Sequence, residues 1–301
     1  MQRWRLLHGG AKMKVRLVDL DSKMANIALM KISQFYKINN HDVAWYNPLI
    51  DTDVNKLYIS KLFNFTEDYQ YCNAQEVIKG GSGYNIETSL PTEIETIKTL
   101  DYSIYPNCDY SMQFYSRGCI RNCPFCIVRQ KEGDIQAVEP MGLNPKGTHI
   151  EVLDNNFFAN AEWKLAIGDL IKTKQKVNFH GVDIRIMDEE QAYYLNKLKH
   201  HKQIHVAWDN PKDNLVPRLK EITKYIKPYK IMCYVLIGYW SSPEEDLYRV
   251  EKLRELKIDP FVMPFDKSEE YQRKFARWVN RKAIFKTVKW EDYKGDEDRF
   301  Q

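Results

Sequence analysis

The chain has 301 residues, a formal net charge of +4 and a hydrophobic fraction of 44%, which suits two domains with sizeable cores. No apolar run approaches the ~18 residues of a membrane-spanning helix, and we expect no secretory leader. Six cysteines without a regular framework favour a reducing compartment, so we expect a cytoplasmic protein with no membrane partner. The small net charge does not by itself indicate a nucleic-acid partner.

The first predicted elements, over residues 13–100, form a separate α/β unit. Residues 1–12 precede them without any motif, and Met13 is an alternative start of the protein. An apolar run at residues 15–20 predicts a strand, and helical spacing of apolar residues over 26–36 predicts an amphipathic helix. Residues 42–46 and 56–59 then supply two short strands.

This unit resembles the cobalamin-binding, flavodoxin-like domain. Ser60-Lys61-Leu62 matches that domain's Ser-x-Leu segment, and Gly80-Gly81 matches its paired glycines. The family's Asp-x-His-x-x-Gly, whose histidine ligates cobalt, is not matched, because the first strand runs into Asp19-Leu20-Asp21-Ser22-Lys23. We therefore expect a degenerate domain that shapes the substrate entrance and binds no cobalamin. Cobalamin bound without a histidine ligand is the alternative.

Three cysteines fall in one short loop, as Cys119, Cys123 and Cys126 in the spacing C-x3-C-x2-C. Three thiolates at this spacing can converge on one metal centre, and a four-iron cluster held by only three would keep one iron without a protein ligand. Zinc is a rival interpretation, but structural zinc takes four ligands and the next histidine after Cys126 is the distant His149. A cluster that only transfers electrons is a second rival.

Strand and helix patterns alternate around and after this loop. Strands are predicted over residues 110–116, 149–157, 176–184, 203–209, 230–238 and 258–265. Apolar periodicity predicts a helix over 161–174. Asp188 with Gln191, and Ser242 with Glu245 around a proline, are typical of helix starts. Six such repeats predict parallel strands with right-handed crossovers.

The cysteine loop, with Phe125 just before its last cysteine, resembles the cluster motif of the radical S-adenosylmethionine (SAM) enzymes. The repeats resemble the partial (β/α)6 barrel of that superfamily. The resemblance implies a [4Fe-4S] cluster on Cys119, Cys123 and Cys126 whose open iron chelates SAM, and reductive cleavage of SAM to a 5'-deoxyadenosyl radical. It also implies a reducing partner such as flavodoxin or ferredoxin.

In many of these enzymes a cobalamin-type domain precedes the barrel. We therefore expect a degenerate cobalamin-binding-like domain at 13–100, the radical SAM barrel at 105–266 and a basic helical extension at 267–301. Only Cys72 and Cys108 lie upstream of the loop, and Cys233 falls inside a predicted strand. A second three-cysteine cluster, as in the methylthiotransferases, is therefore not expected.

Candidate SAM-binding residues lie at the ends of the predicted strands, which is the reactive edge in barrels of this family. The resemblance implies cofactor contacts by Phe125, by Asp154, Asn155 and Asn156, by Trp208, Asp209 and Asn210, and by Leu236, Ile237 and Gly238. The family's Gly-Gly-Glu-like segment is not matched at 154–156. Residues 209–211, Asp-Asn-Pro, are also good turn formers. Asp183 and Arg185 could face the substrate or pair with each other at the rim.

The C-terminal segment mixes basic and aromatic residues, which can contact phosphates and stack on bases. Its members are Lys274, Arg277, Arg281, Lys282 and Lys286 with Phe275, Trp278 and Phe285. Helical spacing of the aromatic residues favours a buried apolar face with the basic side chains in water. We therefore expect a small molecule or peptide as the substrate. RNA or DNA is the alternative substrate, and a non-catalytic iron–sulfur or zinc protein is the alternative to an enzyme.

Overall fold

The computed structural model describes residues 11–295, which divide into two compact units. The first unit comprises residues 11–112, 123–131 and 140–147, and the second comprises residues 113–122, 132–139 and 148–295. Most of the proposed extra N-terminal segment, residues 1–10, and the end of the predicted C-terminal extension, residues 296–301, lie outside the described residues. No helix in the described part is long and apolar enough to cross a membrane.

The first unit is built on a parallel four-stranded sheet. Its strands are β1 (Lys14–Asp19), β2 (Asp42–Trp45), β3 (Lys56–Ser60) and β4 (Glu76–Gly80), in the order β2-β1-β3-β4. Its helices are α1 (Ile27–Ile38) and α2 (Thr92–Glu95). The Asn26 side chain caps α1 by accepting the Leu29 N–H at 3.2 Å. The sequence analysis missed β4, because this short edge strand is mostly exposed and lacks a clear apolar alternation.

Further strands follow along the chain. They are β5 (Tyr110–Gln113), β6 (Ser116–Arg117), β7 (Gln136–Ala137), β8 (His149–Val152), β9 (Lys176–Phe179), β10 (Ile204–Ala207), β11 (Ile231–Ile237) and β12 (Asp259–Pro264). In the second unit β8 pairs with β9, and β10, β11 and β12 pair in sequence, all in parallel. Gln113, at the end of β5, accepts the Leu153 N–H at 2.9 Å. Isolated parallel bridges join Val177 to His200 and Val182 to Val206.

The helices of this part alternate with the strands. They are α3 (Val128–Glu132), α4 (Trp163–Thr173), α5 (Glu189–Lys197), α6 (Val216–Ile222), α7 (Pro243–Glu255), α8 (Glu270–Asn280) and α9 (Lys282–Thr287). Both predicted helix starts are confirmed, since Asp188 and Ser242 each form a capping box. The α/β class is likewise confirmed, with parallel strands in both units.

The core of the second unit lies on one face of its strands. Ile150 and Val152 of β8 and Val177 and Phe179 of β9 are at most 1% exposed and belong to one cluster with the helices. Because strand side chains alternate between faces, the residues between them point the other way. The predicted strand over 149–157 ends at Val152, and a 3₁₀ turn begins at Phe157.

The aromatic residues of the C-terminal segment lie in this same core. Phe275 and Trp278 are 0% exposed and Phe285 is 3% exposed. Their rings contact one another, with centroids 5.4 Å apart for Phe275 and Trp278. This confirms the buried apolar face, so these three rings cannot stack on nucleic-acid bases.

Candidate functional site

The cysteine loop starts at a glycine that the surrounding backbone requires. Gly118 has φ +79°, and a Cβ there would lie 2.2 Å from the Asp134 carbonyl oxygen. Any other residue would be both strained and in collision with the main chain. The next residue, Cys119, donates its N–H to the Gly133 carbonyl at 3.3 Å. The backbone at Cys119 is therefore bonded to Gly133, and Gly118 packs closely against Asp134.

Glu132 anchors the same start of the loop. Its carboxylate accepts the Gly118 N–H at 2.9 Å and forms two bonds with Arg117, 3.0 Å from Nε and 2.8 Å from Nη2. Asn155, a predicted cofactor residue, donates its side-chain amide to the same carboxylate at 2.8 Å. Burial acts to raise the pKa of Glu132, but these donors outweigh it and hold the pKa below its ordinary value.

Cys119 is half-buried and its sulfur already accepts N–H groups. The Arg121 backbone N–H lies 3.3 Å from Sγ, and the Asn156 side-chain amide lies 4.0 Å away. N–H donors to a ligating sulfur tune the potential of an iron–sulfur cluster. Among the predicted ligands, the surroundings of Cys119 are thus suited to a metal-bound sulfur.

Cys123 and Cys126 lie in segment 123–131, which groups with the first unit. The Cys126 N–H donates to the Cys123 carbonyl at 2.9 Å, so the backbone turns tightly between them. Cys123 and Phe125 are half-buried and Cys126 is exposed. Within residues 11–295 no three His, Cys, Asp or Glu side chains are grouped as a metal site. The three thiols fit a cluster by their chemistry and spacing, and their convergence stays a prediction.

Asp154, a predicted cofactor residue, is turned inward to the chain. Its carboxylate accepts the Tyr115 N–H at 2.9 Å and the Ser116 hydroxyl, and the residue is 1% exposed. Burial raises the pKa of Asp154 to about 6, although both donors act against the shift. In this structure Asp154 therefore positions the strand that leads into the cysteine loop.

Asn156 is buried beside Asp154 but keeps an unused acceptor. The residue is 2% exposed, and its amide nitrogen lies 3.4 Å from the Asp183 carboxylate. Its Oδ1 has no hydrogen-bond partner among the described residues. A buried polar atom without a partner is costly, and this makes it a candidate contact for a ligand.

The Asp183 carboxylate accepts hydrogen bonds from two arginines. Arg185 bonds to it through Nε at 2.7 Å and Nη2 at 3.0 Å, and Arg121 of the cysteine loop bonds through Nε at 3.0 Å. Burial acts to raise the pKa of Asp183, but the arginines keep it below its ordinary value. Asp183 and Arg185 thus pair with each other, one of the two predicted alternatives, and Arg121 joins them and ties the cysteine loop to the segment after β9.

The end of β10 carries two further buried atoms without partners. Trp208 is 1% exposed, and neither its Nε1 nor the Oδ1 atom of Asp209 has a partner in the described part of the chain. Burial raises the pKa of Asp209 above its ordinary value. Asn210 instead forms a turn, since its Oδ1 accepts the Lys212 N–H at 3.0 Å.

The predicted contacts at the end of β11 are covered by the chain itself. Leu236 and Ile237 are 9% and 0% exposed. Gly238 has φ +80°, and a Cβ there would overlap the side-chain amide of Gln272, at 2.1 Å from Nε2. A ligand at Gly238 would therefore have to displace the Gln272 side chain.

Sequence reasoning missed the residue that holds the ends of β10 and β11 together. Arg249 of α7 is 0% exposed and pairs with Asp246 at 2.6 Å. Its guanidinium also donates to the carbonyls of Trp208 at 2.7 Å, Asp209 at 3.0 Å and Leu236 at 2.9 Å. The signal was an Asp-x-x-Arg spacing on a predicted helix, which places both side chains on one face.

A second missed feature lies on the sheet face opposite the core. Glu151 of β8 accepts from Asn178 at 2.6 Å and contacts Nε2 of His180 at 2.6 Å and Nε2 of His149 at 3.0 Å. Burial acts to raise the pKa of Glu151, but these contacts lower it to about 2. The carboxylate is therefore charged at neutral pH and makes the His180 Nε2 atom a donor.

Comparison with models of known protein families finds no match. Comparison with curated proteins finds no significant relative.

Proposed function

We propose that this chain is a radical SAM enzyme that binds a [4Fe-4S] cluster through Cys119, Cys123 and Cys126. The observation that carries the proposal is the C-x3-C-x2-C loop with Phe125 before its last cysteine, directly after a strand. The N–H groups around the Cys119 sulfur support it. The glycine and the carboxylate that anchor the loop's start would keep this ligand in a defined place.

The finer fold proposal is a partial (β/α)6 barrel in the second half of the chain. In its support, β8 and β9 run parallel, and so do β10, β11 and β12. The parallel bridge between Val182 and Val206 links the end of the first set to the second. Helices alternate with these strands along the chain, as right-handed βα units require.

The proposed SAM site uses the unsatisfied atoms at the strand ends. Asn156 Oδ1 and Asp209 Oδ1 would accept from the amino or hydroxyl groups of SAM, and Trp208 Nε1 would donate to one of its oxygens. The backbone of these residues is held in place, because Arg249 bonds the carbonyls of Trp208 and Asp209. Preorganised polar groups of this kind bind a ligand without large rearrangement.

The cofactors would supply the chemistry, and the protein would bind and orient them. When bound, the cluster and SAM provide an electron and a sulfonium whose cleavage yields methionine and the 5'-deoxyadenosyl radical that removes hydrogen from the substrate. A flavodoxin or ferredoxin would deliver the electron. The substrate is proposed to be a small molecule or peptide.

The test is SAM cleavage by protein reconstituted with iron and sulfide without oxygen. With SAM and dithionite, we expect 5'-deoxyadenosine by chromatography, and none with Cys123→Ala. Cys72→Ala is the matched control, because Cys72 is exposed and lies outside the motif. A zinc-containing protein, or a cluster protein without SAM affinity, would overturn the proposal in favour of the non-catalytic interpretation.

A further inference from the structure

A basic cleft of about 730 Å³ opens within the second unit. Its cationic lining side chains are Arg121, Arg185, Arg218, Lys220 and Lys224. They come from the cysteine loop, from the segment after β9, and from α6 and its C-terminal end. The cleft therefore adjoins residues that follow parallel strands, where ligands of α/β proteins bind.

Arg121 offers an open guanidinium fork to this cleft. It bonds to Asp183 through Nε at 3.0 Å, and its side chain is 35% exposed. Within the described residues no hydrogen bond engages its two Nη atoms. A guanidinium oriented by one bond can present its two remaining nitrogens to two oxygens of a phosphate or carboxylate.

The cations of α6 are weakly compensated. Arg218 pairs with Glu221 at 2.9 Å, but both side chains are more than a third exposed. Lys224 lies 4.0 Å from Glu189, and Lys220 forms no ion pair in the described part of the chain. Exposed ion pairs contribute little, so these groups can exchange their partners for an anionic ligand at low cost.

The balance of charge selects the chemistry of the ligand. Asp213 and Glu221 are the two carboxylates of the lining, against five cations. Lys220 and the Nη atoms of Arg121 can take a ligand without losing a partner among the described residues, and Arg218 has only an exposed partner. A phosphate or diphosphate has more acceptor oxygens than a single carboxylate with which to reach these three side chains. The volume also lies within the range of about 300–1,000 Å³ that is common for sites of small ligands.

We propose that this cleft binds the phosphate groups of a nucleotide-sized ligand. Arg121 would hold phosphate oxygens through its open fork, with Arg218 and Lys220 on the facing helix. The proposal goes beyond the cluster and SAM and needs neither of them. It gives the site next to the cysteine loop an anionic ligand.

The test measures pyrophosphate binding to the full chain by calorimetry, without cluster or SAM. We expect one saturable site per chain and at least a tenfold weaker affinity in the double variant Arg218→Gln, Lys220→Gln. The matched control is Lys172→Gln, Lys252→Gln, which removes the same charge from helical residues of the same unit that do not line the cleft. Circular dichroism checks that both variants fold.

The absence of saturation up to about 1 mM pyrophosphate, a weak binding constant, would overturn the proposal. Equal weakening by the control pair would also overturn it, because binding would then follow net charge alone. ATP and a ten-nucleotide single-stranded DNA identify the source of the phosphates. Tighter ATP binding assigns a free nucleotide, and tighter DNA binding with steep salt dependence assigns a nucleic acid, provided that the double variant weakens either. Pyrophosphate binding without SAM cleavage would contradict the proposed radical SAM function and would leave the proposal for the cleft intact.

Discussion

The two units end their parallel strands in opposite ways. In the first unit, Asp21 follows β1 and its carboxylate accepts the N–H groups of Leu62 at 2.7 Å and Phe63 at 2.9 Å and the Thr66 hydroxyl at 2.7 Å. In the second unit, Asn156 and Asp209 follow β8 and β10, and each keeps a buried oxygen without a partner. The chain thus satisfies Asp21 at the first edge, whereas it leaves an oxygen of Asn156 and of Asp209 unsatisfied at the second.

A ligand would gain most where buried polar atoms have no partner. All the buried side-chain atoms that lack a partner among residues 11–295 belong to the second unit. An unsatisfied buried group costs about 1–3 kcal/mol, which a ligand recovers by pairing with it. Three of these atoms, on Asn156, Trp208 and Asp209, follow β8 and β10 and support the proposed SAM site there.

The largest effect is expected from a substitution at the start of the cysteine loop. Gly118→Ala places a methyl group against the Asp134 carbonyl at positive φ, and we expect it to lower the free energy of unfolding by about 3 kcal/mol or more. Gly133→Ala is the control, because its φ is +74° but no atom lies within 4 Å of the added Cβ. It should lose only about 1 kcal/mol. Urea unfolding measures both, and equal losses would contradict the collision.

Glu151 makes the stability of the second unit dependent on acid. Its pKa of about 2 lies below the ordinary value of 4.5, so it stabilises the fold above pH 4.5. That contribution, about 3 kcal/mol, should disappear as the pH falls from 4.5 towards 2. In Glu151→Gln this part of the pH dependence should be absent. The free energy of unfolding is measured with urea at several acid pH values. If it depends on pH equally in the wild type and in Glu151→Gln, the Glu151 carboxylate does not form the stabilising contacts with Asn178, His180 and His149.

Asp21→Asn tests the strand end in the first unit. The amide cannot accept all three hydrogen bonds, so we expect a loss of about 1–2 kcal/mol in the free energy of unfolding. SAM affinity, measured by equilibrium dialysis on the reconstituted protein, should not change. A large loss of SAM affinity would place the cofactor at the first unit.

Asp209→Asn tests the strand end in the second unit, where Asp209 Oδ1 has no partner among the described residues. Of these variants it should have the smallest effect on stability. Because burial raises the pKa of Asp209, the charged form is disfavoured in the fold and wild-type stability falls as the pH rises through that pKa. At pH 8 the variant should be equally stable or up to about 1 kcal/mol more stable. Its SAM affinity should fall about tenfold, because the neutral amide oxygen accepts a weaker hydrogen bond from SAM than a carboxylate does. Lower stability with unchanged SAM affinity would show that Asp209 stabilises the fold and does not contact SAM.

Local signals in the sequence predicted much of the fold. Apolar spacing located β1, α1 and α4, and the residues at Asp188 and Ser242 predicted helix starts that the structure confirms. These features depend on neighbours along the chain. The class of fold followed from the alternation of strands and helices.

Long-range contacts at the site were beyond such signals. Glu151 contacts His180, which lies 29 residues away, and Asp183 contacts Arg121, which lies 62 residues away. Asp154 was singled out as a cofactor residue, but the direction of its side chain depends on Tyr115 and Ser116 from another strand. The polar residues at the predicted strand ends indicated a polar edge of the sheet. Only the packing shows which of their atoms lack a hydrogen-bond partner.

The most direct measurement is the electron paramagnetic resonance spectrum of the reduced, reconstituted protein with and without SAM. For the proposed radical SAM site we expect a four-iron signal that requires Cys119, Cys123 and Cys126. This signal should change when SAM binds the open iron. The change should need about tenfold more SAM in Asp209→Asn. A signal that saturating SAM leaves unaltered, or iron that binds equally well after Cys123→Ala, would contradict the account.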